Sequence, residues 1–183
     1  MREFLSHIPE YGRILDAGCG PGRDARIFSE LDYEVTGIDF SSALLDIARE
    51  TAPRAHFLEK SLEDLSIFPS ASFDGVWANA SLHHIAKQQL SGVFIEMHRI
   101  LQPKGILYVS VKMGIGESLE PDQRYGGVPK YWAYYSETEM VDLLKRNGFE
   151  ILNIEINQIQ GSYQTHPFIR VLAVKVCKEI ILE

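Results

Sequence analysis

The hydrophobic and polar positions of this chain change their period repeatedly along the sequence, and each change predicts a new element. Short apolar runs typical of buried strands lie at residues 14–15, 35–38, 55–60, 73–79 and 106–112. Between them, residues 25–31, 44–48 and 90–101 carry apolar side chains at the three- and four-residue spacing of a helix. Strands that alternate with helices in this way predict an α/β fold with a mainly parallel sheet.

The C-terminal quarter of the sequence predicts a helix followed by a two-stranded hairpin. Ser136 and Glu139 have the spacing of a capping box, and Gly148 stands where the helix should end. Residues 152–156 then alternate between apolar and polar side chains, as a half-solvated edge strand does, and residues 168–176 predict a last strand. We expect these two strands to pair in antiparallel order.

Residues 113–135 interrupt this regular pattern and predict a long loop. The segment has no apolar period and contains four glycines and two prolines. Its aromatic residues are Tyr125, Tyr131, Trp132, Tyr134 and Tyr135. Long loops of this kind are usually functional. Because the segment follows the fifth strand, we expect it to emerge at the carboxyl edge of the sheet.

The strongest candidate for a binding site is the turn between the first strand and the helix that follows it. The first apolar run ends in Asp16, and Gly18, Gly20 and Gly22 then supply three positions without a Cβ atom. Asp39 closes the second strand, 19 residues after Gly20. Because the carboxyl ends of neighbouring parallel strands lie side by side, Asp39 can accept hydrogen bonds from both ribose hydroxyls of a nucleoside held over the glycines.

Two classes of ligand use this geometry, and the glycines alone do not separate them. Residues 20–25, GPGRDA, fit the G-x-G-x-x-G/A fingerprint of dinucleotide-binding proteins, in which a pyrophosphate lies on the helix N-terminus. Asp16 would repel a pyrophosphate but attract an ammonium group, which favours a cationic ligand. A third interpretation is that the glycines form a plain connection between strand and helix.

At this point the sequence resembles a known family. Residues 16–22, DAGCGPG, followed by Ile38 and Asp39, resemble motif I and the acidic loop after strand two of class I S-adenosylmethionine-dependent methyltransferases. The resemblance implies S-adenosylmethionine as the cofactor, and methyl transfer to an oxygen, nitrogen or sulfur atom of a small-molecule acceptor. It also implies a Rossmann-like three-layer sandwich with a seven-stranded, mostly parallel sheet of order 3-2-1-4-5-7-6, whose last strand is antiparallel.

The resemblance covers nearly the whole chain and divides a single domain, residues 1–183, into three parts. Residues 13–112 correspond to the cofactor-binding core. Residues 113–135 correspond to a lid over the acceptor, and residues 136–183 to a closing helix and hairpin.

Site residues also follow from the resemblance. The residues that match its cofactor-binding positions are Asp16, Gly18, Cys19, Gly20, Gly22, Asp39, Phe40, Ser61, Leu62, Asn79, Ala80 and Ser81. Ser61 stands where the family usually has an aspartate that accepts a hydrogen bond from adenine, so either this contact lacks its charge or Glu63 or Asp64 supplies it. The candidates for a base or an acceptor-orienting group are His84, Tyr134 and Tyr135. The alternative is a structural role, in which the histidine bonds to the backbone and the tyrosines pack in the core.

The composition narrows the class of protein further. A chain of 183 residues suits one well-buried domain. Its formal charge is 18 − 25 = −7 with scattered basic residues, which argues against a nucleic-acid partner. No apolar run is long enough to predict a membrane span. Cys19 and Cys177 lie far apart without C-x-x-C spacing, which favours the cytoplasm. The oligomeric state stays open.

The pair His83 and His84 invites a metal-site interpretation, which the sequence does not support. Adjacent side chains point apart, and no other histidine, cysteine or carboxylate stands at ligand spacing. We therefore predict no metal.

Two alternatives to a methyltransferase remain open at this point. The first is a nicotinamide-dependent oxidoreductase, since Tyr108 and Lys112 match the Y-x-x-x-K spacing of short-chain dehydrogenases. That pair must share a helical turn, whereas here it falls in a predicted strand, where four residues span roughly 13 Å. The second is a cofactor-binding or regulatory subunit that does no chemistry, which would lack an acceptor-sized cavity beside the methyl group.

Overall fold

One seven-stranded sheet organises the computed structural model, which describes residues 1–122, 126–158 and 166–176. Its strands are β1 (Arg13–Ala17), β2 (Glu34–Asp39), β3 (His56–Glu59), β4 (Phe73–Asn79), β5 (Leu101–Lys112), β8 (Phe149–Asn157) and β9 (Phe168–Lys175). A separate hairpin consists of β6 (Glu117–Asp122) and β7 (Val128–Ala133). The helices are α1 (Arg2–Leu5), α2 (Arg23–Glu30), α3 (Ser42–Thr51), α4 (Lys87–Ile100) and α5 (Glu137–Arg146), with a 3₁₀ turn at Leu82–His84. Predictions that rest on Tyr125 or Cys177 lie outside the described residues.

The strand order along the sheet is β3-β2-β1-β4-β5-β9-β8. Strands β1 to β5 run parallel, and β9 runs antiparallel to both β5 and β8. Because β6 and β7 lie outside this sheet, β9 and β8 take the places predicted for strands seven and six. The predicted fold class and strand order are therefore confirmed. The carboxyl ends of the five parallel strands meet at one edge, where ligands bind in folds of this kind.

Local polar contacts fix the start of α3, and those of α5 lie at the positions that the sequence predicts. Ser41 Oγ accepts a hydrogen bond from the Leu44 N–H at 3.3 Å and so caps α3. Ser136 Oγ accepts one from the Glu139 N–H at 3.1 Å at the start of α5. Gly148 follows α5 with a φ of +85°, a conformation that favours glycine. Each cap satisfies a backbone group that the helix itself leaves unpaired.

Two apolar clusters pack on opposite faces of the sheet and make the three layers. One cluster contains the buried side chains of α4 and α5, among them Phe94 and Leu144. The other contains those of α1, α2 and α3, where the ring centroids of Phe4, Phe28 and Trp77 lie 5.1 to 5.9 Å apart. Burial of apolar surface, at roughly 25 cal/mol per Å², supports the sheet from both sides. The carboxyl edge is therefore built on a well-packed scaffold.

Residues 113–135 depart from the prediction, because most of this segment is a hairpin and not an irregular loop. Strands β6 and β7 pair in antiparallel order, and Pro121 lies opposite Pro129 in the register. Proline is tolerated here because a two-stranded hairpin has two outer edges that need no N–H donor. Gly126 and Gly127, with φ of +68° and +81°, lie in the connection between the strands. The two prolines argued against strands in this segment, although its aromatic residues favour them.

The helices of the described residues are short. The longest, α4, has 14 residues, whereas a helix that crosses a bilayer needs about 20. Within the described part of the chain, no helix has both the length and the apolar character of a membrane span.

Candidate active site

The glycine turn after β1 is held against the end of β2 by backbone hydrogen bonds. The N–H groups of Gly18 and Cys19 both donate to the carbonyl oxygen of Ile38 at 2.9 Å. The N–H of Gly20 donates to Asp39 Oδ2, also at 2.9 Å. The turn and the end of β2 are thus brought together at the carboxyl edge, as predicted for a βαβ unit.

The three glycines of the turn face different surroundings. Gly18, Gly20 and Gly22 all have left-handed φ, at +80°, +51° and +79°. A Cβ atom on Gly18 would lie 2.3 Å from the Cβ of Ser81, and one on Gly22 would lie 3.0 Å from the backbone of Ala48. At Gly20 no atom lies within 4 Å of the same position. A side chain at Gly18 would therefore collide with Ser81, whereas the same position at Gly20 is open to a ligand.

Asp39 organises the turn with its side chain. It is buried, at 8% exposure. Its Oδ1 accepts a hydrogen bond from the Ser41 N–H and its Oδ2 from the Gly20 N–H, both at 2.9 Å. A carboxylate oxygen can accept two hydrogen bonds. The ribose role predicted for Asp39 is therefore compatible with these two contacts.

Asp16 is a buried carboxylate that the chain leaves incompletely paired. It is 3% exposed, and its Oδ2 has no hydrogen-bond partner within the described residues. Burial raises the pKa of Asp16 well above its usual range, and the negative charges of Asp24 and Asp39 raise it further. An ionised carboxylate in such a place is costly unless a cation pairs with it. A cationic ligand would supply this partner.

Asp24 belongs to the same region, although the sequence analysis did not select it. It lies in the first turn of α2, and its Oδ2 accepts hydrogen bonds from Trp77 Nε1 at 2.7 Å and from Asn79 Nδ2 at 2.9 Å. It therefore joins the helix after the glycine turn to the end of β4. The sequence feature that could have identified Asp24 is its position inside the G-x-G-x-x-A segment, residues 20–25.

The residues after β4 border the glycine turn. Ser81 Oγ donates to the carbonyl oxygen of Ala17 at 2.6 Å. Ala80 has a φ of +57°, and its N–H donates to the Ser110 carbonyl oxygen at 3.0 Å. Asn79 and Ala80 are exposed at the edge. A left-handed alanine costs energy, and such conformations cluster at functional sites.

The residues predicted around adenine lie on the other side of the turn. Phe40 is 75% exposed. Ser61 is exposed, and its Oγ accepts a hydrogen bond from the Glu63 N–H at 3.2 Å. Asp64 Oδ1 accepts one from Ser66 Oγ at 2.5 Å. Because Asp64 stabilises its own loop, a structural role explains its carboxylate without an adenine contact.

Cys19 belongs to the glycine turn, and Leu62 packs beside it. Cys19 is buried, and burial raises the pKa of its thiol, with a further increase from the negative charges of Asp16 and Asp39. Leu62 is half-buried, with a methyl carbon 3.6 Å from the Cβ position of Gly18. The Cys19 thiol is thus inert, and this residue offers a ligand its backbone alone.

His84 lies at the base of the β6–β7 hairpin. Its Nδ1 is 3.0 Å from the carbonyl oxygen of Tyr131 on β7. Its ring lies 4.5 Å from the Trp132 ring, which also carries Lys112 Nζ at 3.4 Å from its centroid. This geometry matches the alternative of a histidine bound to backbone. It also places His84 between the end of β4 and the hairpin.

Tyr134 and Tyr135 are packed inside the protein. Tyr135 is 1% exposed and belongs to the core cluster of α4 and α5, and its hydroxyl lacks a hydrogen-bond partner within the described residues. Tyr134 is 6% exposed, and its hydroxyl donates to Glu120 Oε1 at 3.2 Å. The burial of both rings favours the alternative of core tyrosines, and the acceptor roles of Tyr134 and Tyr135 remain predictions. The backbone of Tyr135 forms a β-bridge with Met113, the residue after β5.

Lys87 connects the base of the hairpin to two helices. Its N–H donates to Glu117 Oε1 on β6 at 2.7 Å. Its Nζ donates to both carboxylate oxygens of Glu139 on α5, at 2.7 and 2.9 Å, and lies 4.6 Å from the centre of the Tyr135 ring. The hairpin is thus tied to the starts of α4 and α5, at the same edge as the glycine turn.

The histidine pair forms part of an aromatic cluster. The rings of His83 and His84 lie 4.3 Å apart at an angle of 74°. Among the described residues, no group of three or more histidine, cysteine, aspartate or glutamate side chains could hold a metal ion.

Comparison with known proteins identifies the chain. A family described as a methyltransferase domain matches residues 14–105. A malonyl-[acyl-carrier protein] O-methyltransferase of Enterobacter lignolyticus (strain SCF1) is 35% identical over 106 residues, which cover 57% of this chain and 41% of that protein. The putative methyltransferase YqeM of Bacillus subtilis (strain 168) is 34% identical over 158 residues, 81% of this chain and 64% of its own length. The chain therefore spans less than two thirds of these curated relatives.

Solved structures share the same fold. A SAM-dependent methyltransferase from Methanosarcina mazei has a TM-score of 0.87 at 23% identity, over 97% of this chain and 99% of its own. The 1,6-didemethyltoxoflavin-N1-methyltransferase of Burkholderia thailandensis, with bound S-adenosylhomocysteine, has a TM-score of 0.76 at 23% identity, over 96% and 75% of the two chains.

The fold and the glycine turn first define a Rossmann-like α/β protein with a candidate ligand-binding edge. The matched domain, together with these relatives, then shows that the chain belongs to the class I S-adenosylmethionine-dependent methyltransferase family.

The residues of the edge fit the cofactor of this family. S-adenosylmethionine carries a positive sulfur and an ammonium group, and Asp16 Oδ2 is a buried oxygen without a partner in the described chain. The space above Gly20 is open to a ligand. These two observations concern the chain itself and agree with a cationic nucleoside better than with a pyrophosphate.

Proposed function

We propose that this protein binds S-adenosylmethionine at the carboxyl edge of β1, β2 and β4 and methylates an oxygen, nitrogen or sulfur atom of a small molecule. The observation that carries the proposal is the buried, incompletely paired carboxylate of Asp16 beside the open position at Gly20. Membership of the methyltransferase family supports the reaction.

Each part of the edge has an assigned task in this proposal. Asp39 accepts hydrogen bonds from the ribose hydroxyls, and Asp16 faces the cationic end of the ligand. The residues assigned to the adenine and to the methionine part are Phe40, Ser61, Leu62, Asn79, Ala80 and Ser81. The bound cofactor supplies a methyl group that its positive sulfur already activates. The chain contributes alignment, and holding two reactants in an attack geometry is worth roughly 7 to 11 kcal/mol.

The acceptor side is assigned to the hairpin β6–β7 and to His84. The contact between His84 Nδ1 and Tyr131 keeps this histidine beneath the hairpin, near Asn79 along the chain. A hairpin over the edge would exclude water from the acceptor and act as a lid. His84 would orient the acceptor or accept its proton. Residues 113–135 would then give the acceptor site its shape.

The acceptor class is the least constrained part of the proposal. Relatives include malonyl-[acyl-carrier protein] O-methyltransferase and the trans-aconitate 2-methyltransferase of Delftia acidovorans, which is 28% identical over 159 residues. Both of these substrates carry carboxyl groups, so small carboxylic acids come first in a search for the acceptor. The net charge of −7 supports a partner other than nucleic acid. The spacing of Cys19 and Cys177 supports a cytoplasmic location.

Two successive experiments test the proposed function. Calorimetry with S-adenosylmethionine and, separately, NAD⁺ should show binding of the first alone. A panel of small carboxylic acids, phenols, amines and thiols should then release S-adenosylhomocysteine with at least one member. Binding of NAD⁺ alone would favour an oxidoreductase. Cofactor binding with every acceptor inactive would favour a regulatory subunit.

A further inference from the structure

A second cavity lies on the face of the sheet that carries α1, where strands β5, β9 and β8 form its floor. Its volume is about 230 Å³, below the roughly 300 to 1,000 Å³ of a pocket for a drug-sized ligand. None of the residues around it is assigned to the cofactor or to the acceptor. Its charged residues are Arg2, Glu3, Glu155 and Arg170, and its apolar ones include Phe4, Tyr108 and Leu172. The space therefore suits a ligand the size of an amino acid.

Arg170 on β9 offers this cavity an incompletely paired guanidinium. The residue is half-buried, and its Nε is a buried atom without a hydrogen-bond partner within the described residues. In the amide orientation that satisfies both side chains, Asn157 Oδ1 accepts hydrogen bonds from the two Nη atoms of Arg170 at 2.7 and 2.9 Å, which leaves Nε unpaired. A buried N–H without an acceptor costs free energy. A carboxylate is the acceptor whose geometry matches a guanidinium.

A negative charge lies beside Arg170 without pairing with it. Glu155 on β8 is directly opposite Arg170 in the antiparallel register, yet the ion pairs within the described residues include neither of them. Burial raises the pKa of Tyr108, the positive charge of Arg170 lowers it, and the negative charge of Glu155 raises it, so both charges lie close to this hydroxyl. The other carboxylate of the cavity is engaged, because Glu3 Oε2 accepts a hydrogen bond from Asn153 Nδ2 at 2.8 Å. The cavity thus presents one positive and one negative group to a ligand.

We propose that this cavity is a second binding site, which takes a small zwitterion, an α-amino acid with an apolar side chain. The carboxylate of the ligand bonds to the guanidinium of Arg170, its ammonium to the carboxylate of Glu155, and its side chain packs on Leu172. A ligand with one of the two charges leaves the opposite group of the protein unpaired, so the site prefers the zwitterion. The inference goes beyond the proposed function, because none of these residues belongs to the cofactor edge.

Calorimetry with L-leucine tests the proposal, with saturating S-adenosylhomocysteine present to occupy the cofactor edge. L-Leucine should bind. Isocaproate, which lacks the ammonium, and isoamylamine, which lacks the carboxylate, should each bind roughly tenfold more weakly. Arg170→Gln should weaken the binding of L-leucine by roughly the same factor. The matched control is Arg146→Gln, which removes an exposed arginine of α5 on the opposite face of the sheet and should leave the affinity unchanged.

A second variant keeps the test decisive if Arg170→Gln does not fold. Glu155 is exposed on the edge strand β8, so Glu155→Gln should fold, bind L-leucine roughly tenfold more weakly and bind isocaproate as wild type does. Wild-type protein that does not bind L-leucine, or variants that bind it equally well, would overturn the proposal. Binding that S-adenosylhomocysteine abolishes would place L-leucine at the cofactor edge and would also overturn it. A protein that binds L-leucine but not S-adenosylhomocysteine would contradict the proposed function alone.

Discussion

At the level of single residues, Asp39 has two tasks that one substitution can separate. Asp39→Ala should weaken binding of S-adenosylmethionine more than tenfold, because charge-assisted hydrogen bonds to the ribose are worth about 1.5 to 3 kcal/mol. It should also lower the free energy of unfolding by about 1 to 3 kcal/mol, since the N–H groups of Gly20 and Ser41 lose their acceptor. Calorimetry measures the first effect and urea unfolding the second. An unchanged dissociation constant for S-adenosylmethionine would contradict the assignment of Asp39 to the ribose.

We expect the ionised carboxylate of Asp16 to strengthen ligand binding but to lower the stability of the ligand-free protein. Its pKa is raised in the folded protein above the value of about 3.9 for an unfolded chain. The folded state therefore holds this proton to higher pH, and the stability of the ligand-free protein falls as the pH rises through the interval between the two values. Asp16→Asn never ionises. It should be as stable as wild type at the acid end of the interval and more stable above it, by about 1.4 kcal/mol for each unit between the two pKa values.

Urea unfolding of ligand-free protein from pH 4 to pH 8 checks the Asp16 prediction. The same variant should bind S-adenosylmethionine at least tenfold more weakly, because the partner of its cationic end has lost its charge. Asp46→Asn serves as the control, since its carboxylate is exposed and paired with Arg49. A variant less stable than wild type at every pH would mean that the chain already compensates the Asp16 charge.

The glycine turn shows how far single residues can be predicted from the sequence. The spacing of Gly18, Gly20 and Asp39 predicted that turn and strand end meet, and the hydrogen bond from Gly20 to Asp39 is there. What the sequence could not show is which neighbour each glycine faces. Ser81 and Ala48 come close from distant parts of the chain, and no local pattern encodes such contacts.

At the level of elements, the β6–β7 hairpin depends on contacts at its base. Lys87→Met removes the ammonium that pairs with Glu139 and lies over the ring of Tyr135, two residues after β7, and it keeps the length of the side chain. Hydrogen exchange of β6 and β7 should become several-fold faster, because local opening loses one of its restraints. Binding of S-adenosylmethionine should not change, since Lys87 lies outside the cofactor residues. Lys145→Met on the exposed end of α5 provides the control. Equal exchange in all three proteins would show that Lys87 does not hold the hairpin.

Two substitutions of Tyr135 distinguish a packing role from a role in binding the acceptor. Its ring is fully buried, and its hydroxyl is unpaired within the described residues. Tyr135→Phe should be neutral or slightly stabilising, because it removes a buried hydroxyl without a partner. Tyr135→Ala should cost about 3 to 5 kcal/mol, as loss of a large core side chain does. Urea unfolding gives both values. Turnover that collapses in a stable Tyr135→Phe would instead assign the hydroxyl to the acceptor.

The elements were predictable to different degrees for physical reasons. Helices α3 and α5 carry their start signals within one turn, in Ser41, Ser136 and Glu139, so local sequence was sufficient. The β6–β7 hairpin was not predictable from local sequence. Its two prolines break the strand pattern, and its pairing joins Glu117 to Ala133, which lies 16 positions further along the chain. The more an element depends on distant contacts, the less its sequence shows of it.

At the level of the whole molecule, the sheet explains why a cofactor at its edge should stabilise the entire domain. Strands β1 to β5 form one ladder with β9 and β8, from Arg13 to Lys175, so local unfolding of the edge is coupled to the core. This topology was predictable because buried strands alternate with amphipathic helices and because such crossovers have few arrangements. The order of the last two strands came from the family resemblance and not from the pattern.

Ligand-linked stability then tests the fold and the site together. At one hundred times its dissociation constant, S-adenosylmethionine should raise the free energy of unfolding by about 2.7 kcal/mol with an unchanged urea m-value, because it binds the folded state alone. NAD⁺ at the same concentration should have no effect, since Asp16 repels a pyrophosphate. Stabilisation by NAD⁺ without S-adenosylmethionine would mean that residues 20–25 form a dinucleotide site after all. Stabilisation by neither would leave the glycines as a plain connection between β1 and α2.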